Sequence, residues 1–67
     1  MTNSIKVERA KKNITQAELA EKVNVSRQTI NSIEIGKFIP STLLSLKIAR
    51  YFENTVDEIF KLEEKDL

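Results

Sequence analysis

Three residues, Asn24-Val25-Ser26, separate two segments that each carry the marks of an amphipathic helix, and no other feature restricts the possible folds so tightly. The segment before them opens with Thr15-Gln16-Ala17-Glu18, a capping box in which the Thr hydroxyl and the Glu carboxylate each satisfy an orphan amide. Its apolar residues Leu19, Ala20 and Val23 form one stripe. After the gap, Ser26 reads as an N-cap, and Ile30 and Ile33 form the inner stripe of the next helix. A connection this short makes two helices cross steeply instead of folding back antiparallel. One residue of such a corner often needs a positive φ, which Asn tolerates best after Gly. Asn24 is therefore expected to make the corner and Val25 to tuck inward.

The rest of the chain is punctuated in the same way. Ser41 precedes another helical pattern, and Thr55-Val56-Asp57-Glu58 is a second capping box. Five helices are predicted, over 4–12, 16–23, 27–34, 42–53 and 56–61. A single Gly (Gly36), a single Pro (Pro40) and few β-branched alternations argue against a β fold. The Phe60-Lys61-Leu62-Glu63 alternation reads as a short edge strand. Sixty-seven residues make one domain, expected over 1–62, with 63–67 as a charged, frayed tail. The absence of Cys and His excludes disulfides and the usual zinc frameworks, so stability must come from helix packing, aided by a partner subunit. No apolar signal core opens the chain and no run of about 18 apolar residues occurs, so neither a membrane span nor that secretion route is expected. A cytoplasmic location follows as the expectation.

At 100° per residue, Arg27, Gln28, Asn31 and Ser32 share one arc of about 140° opposite the inner stripe of their helix. An ordinary solvated face mixes Lys with Glu; this one carries a guanidinium, two carboxamides and a hydroxyl, and no carboxylate. Those groups read base edges: Arg pairs with guanine, Gln or Asn with adenine, and Ser with either. The charge pattern bears on the same question. Residues 1–52 hold nine Lys and Arg against four Glu, a balance of +5, whereas 53–67 hold two Lys against six acidic residues, a balance of −4. That asymmetry suits a body facing a polyanion with a tail facing away, and equally a solvated surface with an acidic end. An enzyme is not expected, because there is no His or Cys nucleophile system and no Gly-rich phosphate loop. No cofactor, metal or small-molecule ligand is expected either; Glu63, Glu64 and Asp66 read as a solvated tail.

The stretch TQAELAEKVNVSRQTINSIEIGK closely resembles the phage-repressor type of helix-turn-helix, the XRE family of Cro and lambda-like repressors and their stand-alone bacterial relatives. The likeness runs from about Ile5 to Phe60 and takes in Pro40-Ser41, Leu46-Lys47-Ile48-Ala49 and Val56-Asp57-Glu58-Ile59-Phe60. It implies an all-α, five-helix lambda-repressor-like DNA-binding domain with its motif at about 16–35. It also implies that Gln16 docks on a phosphate and braces the recognition helix. Arg27, Gln28 and Asn31 would enter the major groove, with Ser32 at the margin. Thr29 and Lys37, with the amides of Gly36 and Phe38, would hold phosphates, which set register and affinity and not sequence preference. Arg9 and Glu34 would form a largely buried ion pair that orients the recognition helix; on the helix wheel Glu34 lies beside Ile30, which is compatible. Three departures weaken details. Asn24 replaces the usual Gly, and Glu8 and Thr42 stand where relatives commonly carry Leu, so the first helix has a poor stripe of Ile5, Val7 and Ala10.

The helix over 42–53 has more apolar residues than one core face can use, with Leu43 and Leu46 falling away from Leu44, Ile48, Ala49, Tyr51 and Phe52. Leu43, Leu46, Phe60 and Leu62 are the candidates for a homodimer interface. Two recognition helices about one DNA turn apart would read a pseudo-palindromic operator in double-stranded DNA. The expectation is a sequence-specific transcriptional regulator, with repression favoured because occupancy needs no further domain. The alternative is a protein-interaction module, such as an antitoxin or adaptor, that retains the fold.

Overall fold

The computed structural model describes all residues, 1–67. The order is β1 (Thr2–Asn3), α1 (Ile5–Lys12), α2 (Gln16–Lys22), α3 (Arg27–Glu34), α4 (Thr42–Tyr51), α5 (Val56–Ile59) and β2 (Phe60–Lys61), closed by a 3-10 turn at Glu64–Asp66. The five-helix lambda-repressor-like architecture expected from the sequence is the one observed. Each helix end is written locally. Thr15, Ser26, Ser41 and Thr55 cap α2 to α5 through their hydroxyls, and the two capping boxes are both formed.

Four helix ends share one device. Asn13, Asn24, Gly36 and Glu53 adopt left-handed φ of 57°, 60°, 82° and 58°. At each, the amides of that residue and the next donate back into the final turn, as Asn24 does to Glu21 and Val25 to Ala20. Two carbonyls of each final turn are thereby satisfied by the turn that follows. Asn24 thus makes the corner between α2 and α3, and Val25 packs against the core. Glu53 is the least suited of the four, since a side chain beyond Asn or Asp has no local compensation there. Glu53→Gly is expected to raise stability by about 1 kcal/mol, read as a higher urea midpoint at unchanged slope.

The centre of the core is built mainly from isoleucine. Ile5, Leu19, Ile30, Ile33, Ile48 and Ile59 are fully buried, with Ala20, Val23, Leu44, Ala49, Phe52 and Phe60 around them. From α1 only Ile5 reaches this core; Val7 and Ala10 are exposed. Polar ties hold α1 instead. Asn3 Oδ1 accepts from the Ile5 amide at 3.2 Å, while Asn3 Nδ2 donates to the Ile33 carbonyl at 2.9 Å and the Ser4 amide to the Ile59 carbonyl at 2.9 Å.

Several expectations are corrected. α4 stops at Tyr51, because Glu53 turns left-handed, and α5 stops at Ile59, because Phe60 is extended. The edge strand is present but not free. It pairs antiparallel with β1, Thr2 opposite Lys61 and Asn3 opposite Phe60. Phe60, grouped in the sequence with the dimer candidates, is 7% exposed and belongs to the chain's own core. The tail expected to fray is drawn in, with the Met1 ammonium 2.7 Å from Glu63 Oε1 and 2.8 Å from Asp66 Oδ2.

The cap of α5 has a pH signature. Hydrogen bonds from Thr55, the backbone amide first, hold the Glu58 carboxyl below its ordinary value of 4.5. A depressed carboxyl stabilises the fold above that ordinary value and loses the effect as pH falls through the lower, folded-state value. Hydrogen exchange at the Thr55 amide, a partner of Glu58 Oε1 at 2.7 Å, is expected to stay slow near neutrality and to show a loss of protection on acidification. Glu58→Gln should blunt that change.

Candidate nucleic-acid interface

α2 and α3 pack against each other through Leu19, Ala20, Ile30 and Ile33, which leaves the first turn of α2 and the outer side of α3 together at the surface. Arg27 and Gln28 are exposed, and Thr29, Asn31 and Ser32 are half-buried. Gln28, Thr29, Ser32 and Phe38 border one shallow concavity. Thr29 is tied to the cap of its helix, with its hydroxyl 2.9 Å from that of Ser26 and its amide donating to the same oxygen.

Behind this face lies an ion pair. Arg9 Nε donates to Glu34 Oε2 at 2.7 Å and Arg9 Nη2 to Glu34 Oε1 at 3.0 Å. Arg9 Nη1 donates to the Ile14 carbonyl at 3.0 Å. The two side chains are only 14% and 6% exposed. The hydrogen bonds to the Glu34 carboxylate raise the Arg9 pKa above its already high ordinary value. This pair joins α1 to the last turn of α3.

The pair reaches the surface through Gln16. Gln16 Nε2 donates to Glu34 Oε1 at 3.3 Å and to Asn31 Oδ1 at 3.1 Å, while Gln16 Oε1 accepts from Arg27 Nη1 at 3.2 Å. A first-turn residue of α2 therefore touches two residues of the α3 face and the buried carboxylate beneath it. No sequence periodicity announces these contacts, since they cross between helices.

The phosphate-holding assignments need one revision. The Gly36 amide donates to the Ile33 carbonyl, and the Lys37 and Phe38 amides both donate to that of Ser32. They close the end of α3, so of that segment only the exposed Lys37 side chain is available to an anion. By contrast, the first two amides of α2, those of Gln16 and Ala17, have no acceptor within the chain. Unpaired first-turn amides favour anions. Ala17 joins the candidates here, as a second backbone donor beside Gln16 that the capping box before it could have signalled.

Of the remaining dimer candidates, Leu43, Leu46 and Leu62 are 65%, 54% and 69% exposed. Leu46 borders a groove with Met1, Ile39, Val56 and Phe60, and Leu43 borders another with Val23 and Val25.

A helix-turn-helix family model matches residues 5–59. Among curated proteins, the chain is 47% identical over 66 residues to an uncharacterised HTH-type transcriptional regulator of Methanocaldococcus jannaschii, covering 98% of this chain and 100% of that one. It is 48% identical over 67 residues to an uncharacterised HTH-type transcriptional regulator of Archaeoglobus fulgidus, covering 100% and 94%. It is 46% identical over 57 residues to the HTH-type transcriptional activator BcrR of Enterococcus faecalis, covering 84% of this chain and 28% of BcrR.

Proposed function

The chain belongs to the helix-turn-helix family of DNA-binding transcriptional regulators, and from that premise we propose that it reads the major groove with α3, as a homodimer, and represses by occupying an operator. The observation that carries this reading is the outer face of α3. Arg27, Gln28, Asn31 and Ser32 lie there without a carboxylate, beside the unpaired first amides of α2. Arg27, Gln28 and Asn31 are the base readers in this account, with Ser32 at the margin. The Gln16 and Ala17 amides, Thr29 and the Lys37 side chain hold phosphates and set the register.

Homodimerisation is supported by the exposed Leu43, Leu46 and Leu62 and by size. The molecule measures 32 × 22 × 20 Å, and two such bodies side by side suit half-sites about 34 Å apart. Repression is preferred to activation because occupancy requires nothing beyond the interface itself, although BcrR is named an activator. The setting proposed is the cytoplasm.

Selection from random double-stranded DNA tests the reading. It should return a pseudo-palindromic site, and a reporter carrying that site should fall when the chain is expressed. Recovery of no sequence above background would refute groove reading. A monomeric mass at tens of micromolar, with and without the selected site, would refute the dimer.

A further inference from the structure

We infer that Glu34, acting through Gln16, sets the donor–acceptor polarity of Asn31 and so determines which class of base α3 prefers at that position. The inference rests on α3 being the groove-facing helix.

The Gln16 carboxamide lies between two groups of opposite and fixed character. Glu34 is a carboxylate and only accepts; Arg27 is a guanidinium and only donates. Gln16 meets both with Nε2 toward Glu34 Oε1, at 3.3 Å, and Oε1 toward Arg27 Nη1, at 3.2 Å. Turned over, it would set oxygen against carboxylate and amide hydrogens against guanidinium. The second Nε2 hydrogen is aimed at Asn31 Oδ1, at 3.1 Å. Asn31 must therefore keep its oxygen toward Gln16, which leaves Nδ2 on the far side of the amide, without a partner in the chain. Glu34 cannot drift from this role, because two hydrogen bonds from Arg9 hold it and its side chain is 6% exposed.

In the major groove, guanine offers the acceptors O6 and N7 and thymine the acceptor O4, whereas cytosine N4 only donates and adenine sets the donor N6 beside its one acceptor N7. An Asn31 that presents Nδ2 prefers a keto base, G or T, to C, which offers it no acceptor, and to A, where N6 brings a second donor against it. The paired reading of adenine by Asn needs the oxygen turned toward N6, and here that oxygen is already engaged. When Arg27 leaves Gln16 for a base edge, the Glu34 contact still holds the amide in the same sense. Glu34 and Gln16 are positioning residues in this scheme; Asn31 is the one that meets the base.

The test uses binding to four versions of the selected site that differ at one base. That base is the one at which the unaltered protein discriminates and Asn31→Ala does not. The unaltered protein should favour G or T over A or C by about tenfold. Gln16→Met leaves the Arg9–Glu34 pair in place and should bring the ratio to within about twofold, whatever uniform loss of affinity accompanies it. Gln16→Glu combined with Glu34→Gln exchanges the two groups, so the carboxylate at position 16 accepts from both neighbours and should turn the Asn31 oxygen outward, shifting the preference toward A or C. A merely structural role for Gln16 would not invert a preference. Sequence-specific binding in which both variants keep the original ratio overturns the relay alone. So does an unaltered protein that favours A or C at this base, or the absence of any base at which Asn31→Ala loses discrimination. Absence of sequence preference at every position overturns the relay and the functional reading together.

Discussion

Glu34→Ala is expected to lower stability by about 3 kcal/mol, read as a fall in the urea midpoint, and to leave the chain substantially unfolded at 37 °C. The Arg9 side chain is 14% exposed and donates to both oxygens of Glu34. Truncating Glu34 leaves that guanidinium shielded from water and unpaired save for the Ile14 carbonyl. The cost is mainly that of the stranded charge and not the net worth of the pair, which is small because both ions were desolvated to form it. An informative control follows from this asymmetry. Arg9→Met combined with Glu34→Leu removes both charges and should recover most of the loss. A domain of this size has few kcal/mol to spare, and α1 contributes only Ile5 to the core, so the pair is its chief remaining tie to α3. A loss below about 1 kcal/mol in Glu34→Ala would class the pair with ordinary surface salt bridges.

Arg27→Ala is expected to cost about 2 kcal/mol of discrimination, roughly 30-fold, at one base pair of the half-site and little elsewhere. Arg27 is the first residue of α3, is exposed, and makes its one side-chain hydrogen bond within the chain to Gln16. Its removal should leave thermal stability nearly unchanged, which separates it from Glu34. Lys37→Ala supplies the contrast. A phosphate contact lowers affinity for all sequences together and reduces the slope of log K against log salt by about one unit. The measurement is a set of single-base variants of the selected site titrated at several salt concentrations. Equal losses on cognate and random DNA for Arg27→Ala would remove it from the base-reading set.

The helices were legible because their signals are local. A cap at Thr15 or Thr55 and its Glu three residues on declare themselves within one turn, and the Asn24 corner follows from a three-residue gap. The composition of the α3 face was legible for the same reason. What escaped were relations set by packing. β1 is two polar residues with no periodicity, and their partners lie 59 and 57 positions away. Phe60 looked surplus because alternation cannot say which side of a strand meets a core that other elements complete. The Gly36 and Phe38 amides looked available because their use in ending α3 depends on a left-handed turn. The resemblance offered Gln16 as a brace, but its partners Asn31 and Glu34, 15 and 18 residues on, need the α2–α3 crossing to exist first.

The pairing of Thr2–Asn3 with Phe60–Lys61 joins nearly the first residues of the chain to nearly the last. Every α-helix of the fold lies between the two strands, so they meet only after the whole intervening chain has been gathered in. Closing so long a loop also carries the largest entropic cost of any contact in the fold, which local helix hairpins avoid. β1 is therefore expected to dock late, with Ile5 among the last core residues to be covered, although its neighbour Ser4 bonds directly to the Ile59 carbonyl in the finished fold.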